Sequence, residues 1–145
     1  MTNVVAIGDI HGSYSLLVDT LHPLIDSQSE VVFLGDLIDR APEEDGDIKV
    51  LELVNALSRN PEDFGLSKVT VLTGNHEQLF LEAVATGDTE LWEWNGGDVS
   101  LVQQAEPYIE WLQSLPYYYV KDDYLFVHAG VRPNVALEDQ TLHDC

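Results

Sequence analysis

The sequence predicts an α/β fold with parallel strands. Two observations carry this. Short β-branched runs at residues 3–7, 30–34 and 68–72 are each followed by a polar loop and then by apolar residues at helical spacing. Strands that alternate with helices in this way are joined by crossovers and run parallel. In such folds the loops beyond the strand C-terminal ends gather on one edge of the sheet, where ligands bind.

The elements follow in order. NVVAI, residues 3–7, reads as a buried strand and ends in the loop Gly8-Asp9-Ile10-His11-Gly12. Ser13 is placed to cap a helix whose apolar face holds Leu16, Leu17, Thr20, Leu21 and Leu24 or Ile25. EVVFL, residues 30–34, is the second strand and ends in Gly35-Asp36-Leu37-Ile38-Asp39-Arg40. A loop with Pro42 and four acids leads to a helix over 48–59, with Val50, Leu51, Val54 and Leu57 on its apolar side. The third strand, 68–72, runs into Gly74-Asn75-His76-Glu77 and a helix over 77–86. Beyond Thr86, TGDTELWEWNGGDVSL has three turn signals and two tryptophans and reads as a loop with short helical pieces. A short helix over 107–114 carries Trp111. Residues 117–120 and 124–127 then form a hairpin around Lys121-Asp122-Asp123 that delivers His128 at a fourth strand end. Without internal repeats, low-complexity tracts or linkers, 1–145 is expected to be a single domain.

Composition narrows the function classes. Twenty-six acids against six bases give a net charge of −20, a field that repels nucleic acid and anionic membranes. Two readings of the acidity fit: adaptation to high salt, where self-repulsion is screened, and a surface that simply favours solubility. No apolar run is long enough for a membrane span, and the N-terminus shows no basic, apolar leader. Cys145 is the only cysteine, so no disulfide forms within the chain and a reducing cytoplasm is expected.

The strand-end loops carry the chemistry. Asp9, His11, Asp36, Asp39, Arg40, Asn75, His76 and His128 all fall there. Taken singly, each has an ordinary explanation: a Gly-Asp turn, a surface Asp-Arg pair, a satisfied core histidine. Together, in order and each at a strand end, they suit a borderline divalent metal such as Mn, Fe or Zn. A carboxylate such as Asp36 can bridge two ions, and a two-metal site clamps the attacking and leaving oxygens of a phosphoryl displacement.

GDIHG (8–12), GDLIDR (35–40), GNHE (74–77) and HAG (128–130) resemble the signature of the calcineurin-like metallophosphoesterases. The Asp39-Arg40 pair is similar to the phosphoprotein-phosphatase branch. NGG (95–97) and HAGVRP (128–133) are similar to bacterial and phage serine/threonine phosphatases and to diadenosine tetraphosphate hydrolases. The resemblance implies a β-sandwich flanked by helices, with the C-terminal part of the second sheet missing. It implies two divalent metal ions, manganese first, with Fe, Zn, Co or Ni as alternatives. Asp9 and His11 would hold one ion, Asn75 and His128 the other, and Asp36 both. Arg40 and Asn75 would bind phosphate, His76 would protonate the leaving oxygen, and Asp39 would orient its imidazole. Glu77 would only favour the start of its helix.

The implied reaction is phosphomonoester hydrolysis by in-line attack of a metal-bridging hydroxide. The expected substrate is a phosphoserine or phosphothreonine protein, with a dinucleoside polyphosphate or another small phosphoester as the alternative. The sequence departs from the pattern in two places. Ala41 stands where glycine is usual, and a left-handed backbone there would cost about 1 kcal/mol. The family's later Trp-x-Arg segment and Gly-His motif have no counterpart. Arg132 is the expected substitute phosphate contact, whereas His143 lies in a polar tail with no strand to position it. An exposed apolar face is then expected, covered by a second copy or by a complementing C-terminal segment. A reading of another class also stands: an inactive truncated fragment, or an acidic binding module.

Overall fold

A computed structural model describes residues 3–145. Strands β1 (Val4–Ile7), β2 (Glu30–Phe33) and β3 (Lys68–Val71) form a parallel sheet in the order β1-β2-β3, with Val4, Glu30 and Lys68 in register. The α/β expectation is met. β2 is central, so both of its faces are covered: Val31, Val32 and Phe33 are all fully buried.

Helices α1 (Tyr14–Leu21) and α2 (Gly46–Arg59) pack together, and α2 also packs on β3. Leu17, Leu21, Val50, Leu51, Val54 and Leu57 carry this contact into the core, as their spacing predicts. Leu16 is instead exposed, and the Ser13 side chain makes no capping bond. α3 (Asn75–Thr86) begins two residues earlier than expected, so Asn75 and His76 lie in its first turn rather than before it. It ends at Gly87, whose φ of 76° lets its N–H reach the Ala83 carbonyl at 2.9 Å.

The stretch after Thr86 holds two short helices, α4 (Glu90–Trp94) and α5 (Ser100–Gln104), and α6 (Ile109–Gln113) follows. α4 and α6 both pack on α3, and the Trp92 ring meets Phe80 edge-on at 5.3 Å. No helix among the described residues is long and apolar enough to cross a membrane.

β4 (Tyr118–Lys121) and β5 (Tyr124–Val127) pair antiparallel as a separate two-stranded sheet. Lys121 is the last strand residue rather than part of the turn, because it pairs with Tyr124 across the two-residue turn Asp122-Asp123, where Asp122 takes a φ of 52°. Its Nζ lies 2.9 Å from Oε2 of Glu30, a buried acid at the start of β2. Tyr119 Oη donates to Glu30 Oε1 at 2.7 Å and accepts from Lys68 Nζ at 2.7 Å. The hairpin is thus tied to the parallel sheet by a polar cluster. Val120, Tyr124 and Leu125 remain exposed on it.

Candidate metal centre and phosphate site

The loops after β1, β3 and β5 are all braced on the segment that follows β2. Ile10 and His11 donate their N–H groups to the Asp36 carbonyl at 2.9 and 3.0 Å, and Gly12 donates to Leu37 at 2.9 Å. His11 Nδ1 lies 3.0 Å from the Ile38 carbonyl, and His128 Nδ1 lies 2.9 Å from the Leu34 carbonyl. A carbonyl only accepts, so each Nδ1 carries the proton and each Nε2 presents a lone pair.

Both lone pairs point at Asp36. Its Oδ2 lies 3.7 Å from His11 Nε2 and 3.5 Å from His128 Nε2. Asp9 Oδ2 is 4.0 Å from His11 Nε2, and Asn75 Oδ1 is 3.1 Å from His128 Nε2. Carboxylates, imidazole lone pairs and an amide oxygen therefore converge, and no lysine or arginine among the described residues forms an ion pair with Asp9 or Asp36. Acceptors this close repel one another unless positive charge lies between them, and this donor set fits borderline divalent ions. Two ligand groupings emerge, Asp9–Asp36–His128 and His11–Asp36–His76, the atoms of each within 4.8 Å of one another. Asp36 belongs to both. Asp9 and His11 fall in different groupings, although Asp9 Oδ2 lies 4.0 Å from His11 Nε2.

The backbone is strained where this happens. His11, Asp36, Asp39 and Arg40 take φ values of 46°, 52°, 72° and 61°, a region non-glycine residues seldom occupy. Ala41 does not take one among the described residues, so the expected cost at that position falls on its two predecessors instead.

Glu77 has a larger part than the sequence suggests. It is fully buried, and its Oε2 accepts from Asp36 N at 2.9 Å and Gly74 N at 2.7 Å. Its Oε1 accepts from Leu37 N at 2.7 Å. Burial pushes its carboxyl above the ordinary range, against the pull of these three amides. Asp36 Oδ1 in turn accepts from His76 N at 3.1 Å. A Cβ on Gly74 would lie 2.5 Å from Asp36 N, so only glycine allows this approach.

His76 is buried, and its Nδ1 lies 2.7 Å from Asp39 Oδ2. Trp92 Nε1 donates to both Asp39 oxygens at 2.9 Å. Burial raises the Asp39 carboxyl, while its bonds to His76 and Trp92 lower it; the net direction is upward. The sequence offered no sign of Trp92 here beyond a tryptophan three residues before NGG. Arg40 is exposed, and its Nε donates to the Asn95 carbonyl at 3.0 Å. Its N–H donates to Gly96 at 3.2 Å, so the NGG turn aims the guanidinium.

Arg132 Nε pairs with Asp144 Oδ1 at 3.1 Å and its N–H donates to Gln140 Oε1, so it anchors the C-terminal turn. That turn also seats His143. Ala129 donates to the Cys145 carbonyl at 2.9 Å, and His143 lines a cleft of about 740 Å³ with Asn75, Gln78, Tyr117 and His128. His143 joins neither ligand grouping.

Comparisons with known proteins agree with this geometry. Residues 2–144 match the family model described as calcineurin-like phosphoesterase. The chain is 38% identical over 98 residues to serine/threonine-protein phosphatase 1 of Salmonella typhimurium, covering 66% of this chain and 39% of that protein. It is 31% identical over 137 residues to a symmetrical bis(5'-nucleosyl)-tetraphosphatase of Janthinobacterium, covering 88% and 43%. It superposes with a TM-score of 0.62 on a cold-active protein-tyrosine phosphatase of the psychrophile Shewanella sp., at 26% identity, covering 91% and 43%. The chain spans about two-fifths of the length of the curated relatives it matches.

Proposed function

The chain belongs to the calcineurin-like phosphoesterase family, and we propose that it hydrolyses phosphomonoesters with two divalent ions held by Asp9, His11, Asp36, Asn75 and His128. The observation that carries this is the convergence of those acceptors on Asp36, with the buried Asp39–His76 pair beside them. Manganese is the proposed metal. Bound ions would supply a nucleophile at neutral pH and offset charge on the phosphoryl oxygens.

The chain's own residues do the rest. Arg40 presents a planar fork to the phosphate oxygens, its stem fixed by Asn95. Asp39 holds the Nδ1 proton of His76, so Nε2 is the atom that delivers a proton to the leaving oxygen. The buried Asp39 carboxylate stabilises the imidazolium that precedes this transfer. His11 and His128 are held in their ligand tautomers by backbone carbonyls.

We take a phosphoserine or phosphothreonine protein as the substrate, on the likeness to serine/threonine-protein phosphatase 1. The second reading, dinucleoside polyphosphate hydrolysis, is favoured by the longer alignment to the tetraphosphatase. The proposed setting is the cytoplasm. The test is hydrolysis of p-nitrophenyl phosphate by the chain with and without Mn²⁺, beside His76→Ala. Metal-dependent turnover that collapses in the variant supports the reading. A folded chain without turnover under any metal refutes it in favour of a binding module. A phosphoserine peptide and diadenosine tetraphosphate, run in parallel, separate the two substrate classes.

A further inference from the structure

Asp39 is fully buried, and its carboxylate has two side-chain donors among the described residues: His76 Nδ1 and the indole N–H of Trp92. Trp92 Nε1 stands 2.9 Å from both carboxylate oxygens, so it opposes rotation about χ2 of Asp39. Its own ring is fixed on two sides. Phe80 of α3 meets it edge-on at 5.3 Å, and Gly97 packs so closely on the indole that a Cβ there would clash with Trp92 Cε2, Nε1 and Cδ2. The same short segment offers the Asn95 and Gly96 carbonyls to Arg40. One surface excursion, α4 and its NGG turn, thus grips both Asp39 and Arg40.

We propose that Trp92 is a positioning residue for proton transfer: by holding the Asp39 carboxylate square to the His76 imidazole, it aims His76 Nε2 at the leaving oxygen. This rests on the acid role assigned to His76 above. Loss of the indole N–H leaves a buried carboxylate with one donor and free to turn. The His76 ring then loses its fixed partner without any change in the metal ligands. The effect is confined to reactions that need the proton.

The test uses the full chain with Mn²⁺ and two substrates, phenyl phosphate, whose leaving oxygen needs a proton, and 2,4-dinitrophenyl phosphate, whose leaving oxygen does not. Trp92→Phe is compared with a replacement of the Trp92 indole by benzothiophene, which keeps the ring shape and removes the N–H. The expected result is a fall in kcat of about tenfold or more on phenyl phosphate, with KM and the dinitrophenyl rate unchanged. His76→Asn should show the same selectivity, and the double variant no further loss. Equal losses on both substrates, or no loss, would overturn the proposal. A His76→Asn chain that loses both rates equally would instead overturn the acid role itself. NMR of the metal-free chain decides the positional claim without turnover. The His76 Nδ1–H resonance should be sharp and downfield in the wild type and broadened or lost in the benzothiophene protein. An unchanged resonance would contradict the proposal.

Discussion

The Glu77 carboxylate accepts the backbone N–H of Asp36 at 2.9 Å across 41 positions of sequence. It joins the loop after β2 to the loop after β3 at the point where the two must meet for Asp36 to face the histidines. Glu77→Gln puts an amide donor against backbone donors and leaves at least one buried N–H unpaired. The expected cost is about 2 kcal/mol, or on the order of 5 °C in Tm, with weaker Mn²⁺ binding. Calorimetry and metal titration of the variant check both.

Gly74→Ala attacks the same junction by bulk. The new Cβ would meet Asp36 N at 2.5 Å and Asp36 Cγ at 3.0 Å, and backbone cannot give way there cheaply. The expected outcome is a folded chain whose Mn²⁺ affinity falls tenfold or more, by about 1.4 kcal/mol. Unchanged affinity in a titration would show that Asp36 tolerates displacement.

Glu30 sets an acid limit to stability. Burial would raise its carboxyl, but the Tyr119 hydroxyl and the Lys121 ammonium outweigh burial and hold it below its ordinary 4.5. A depressed folded value stabilises the protein above the unfolded value and is lost as pH falls through the folded one. Glu30→Gln should therefore lower Tm at pH 7 and flatten its fall below pH 4.5. Parallel Tm curves for the two proteins through that range would contradict the assignment.

Asp47 works in the opposite sense. Burial, aided by the charge of Asp39, pushes it up to about 6 from 3.8, and its Oδ1 is buried without a hydrogen-bond partner. Between those values the folded chain keeps a proton that the unfolded chain has released. Its contribution therefore worsens as pH rises from 3.8 to about 6 and stays at its worst at pH 7. Asp47→Asn should stabilise the protein at pH 7 by on the order of 1 kcal/mol, discounted for partial exposure, and by nothing below 3.8. Denaturant unfolding at both ends of that range measures it.

The parallel sheet and the cluster around Asp36 were readable because β-branched runs and strand-end polar residues are local patterns. Asp9, His11, Asp36, Asn75 and His128 needed only their place at strand ends to be grouped. Glu77 was misjudged because an acid in a first helical turn is locally satisfied, and nothing nearby shows that three amides from two loops need it. Trp92 was hidden by the turn residues around it, since its partner Asp39 lies 53 positions away. The first hairpin strand shifted by one residue because Lys121 pairs with Tyr124 across a two-residue turn. The Arg132–Asp144 pair was not foreseen because Asp144 lies in a tail without periodicity. For Glu77, Trp92 and Arg132 the missing information was a tertiary contact.

The most direct measurement is isothermal titration of Mn²⁺ into the wild-type chain and into Asp36→Asn. The convergence of Asp9, His11, Asn75 and His128 on Asp36 predicts two ions per wild-type chain and weakened binding of both in the variant. A single ion, or two ions bound equally well without the Asp36 carboxylate, would contradict the account.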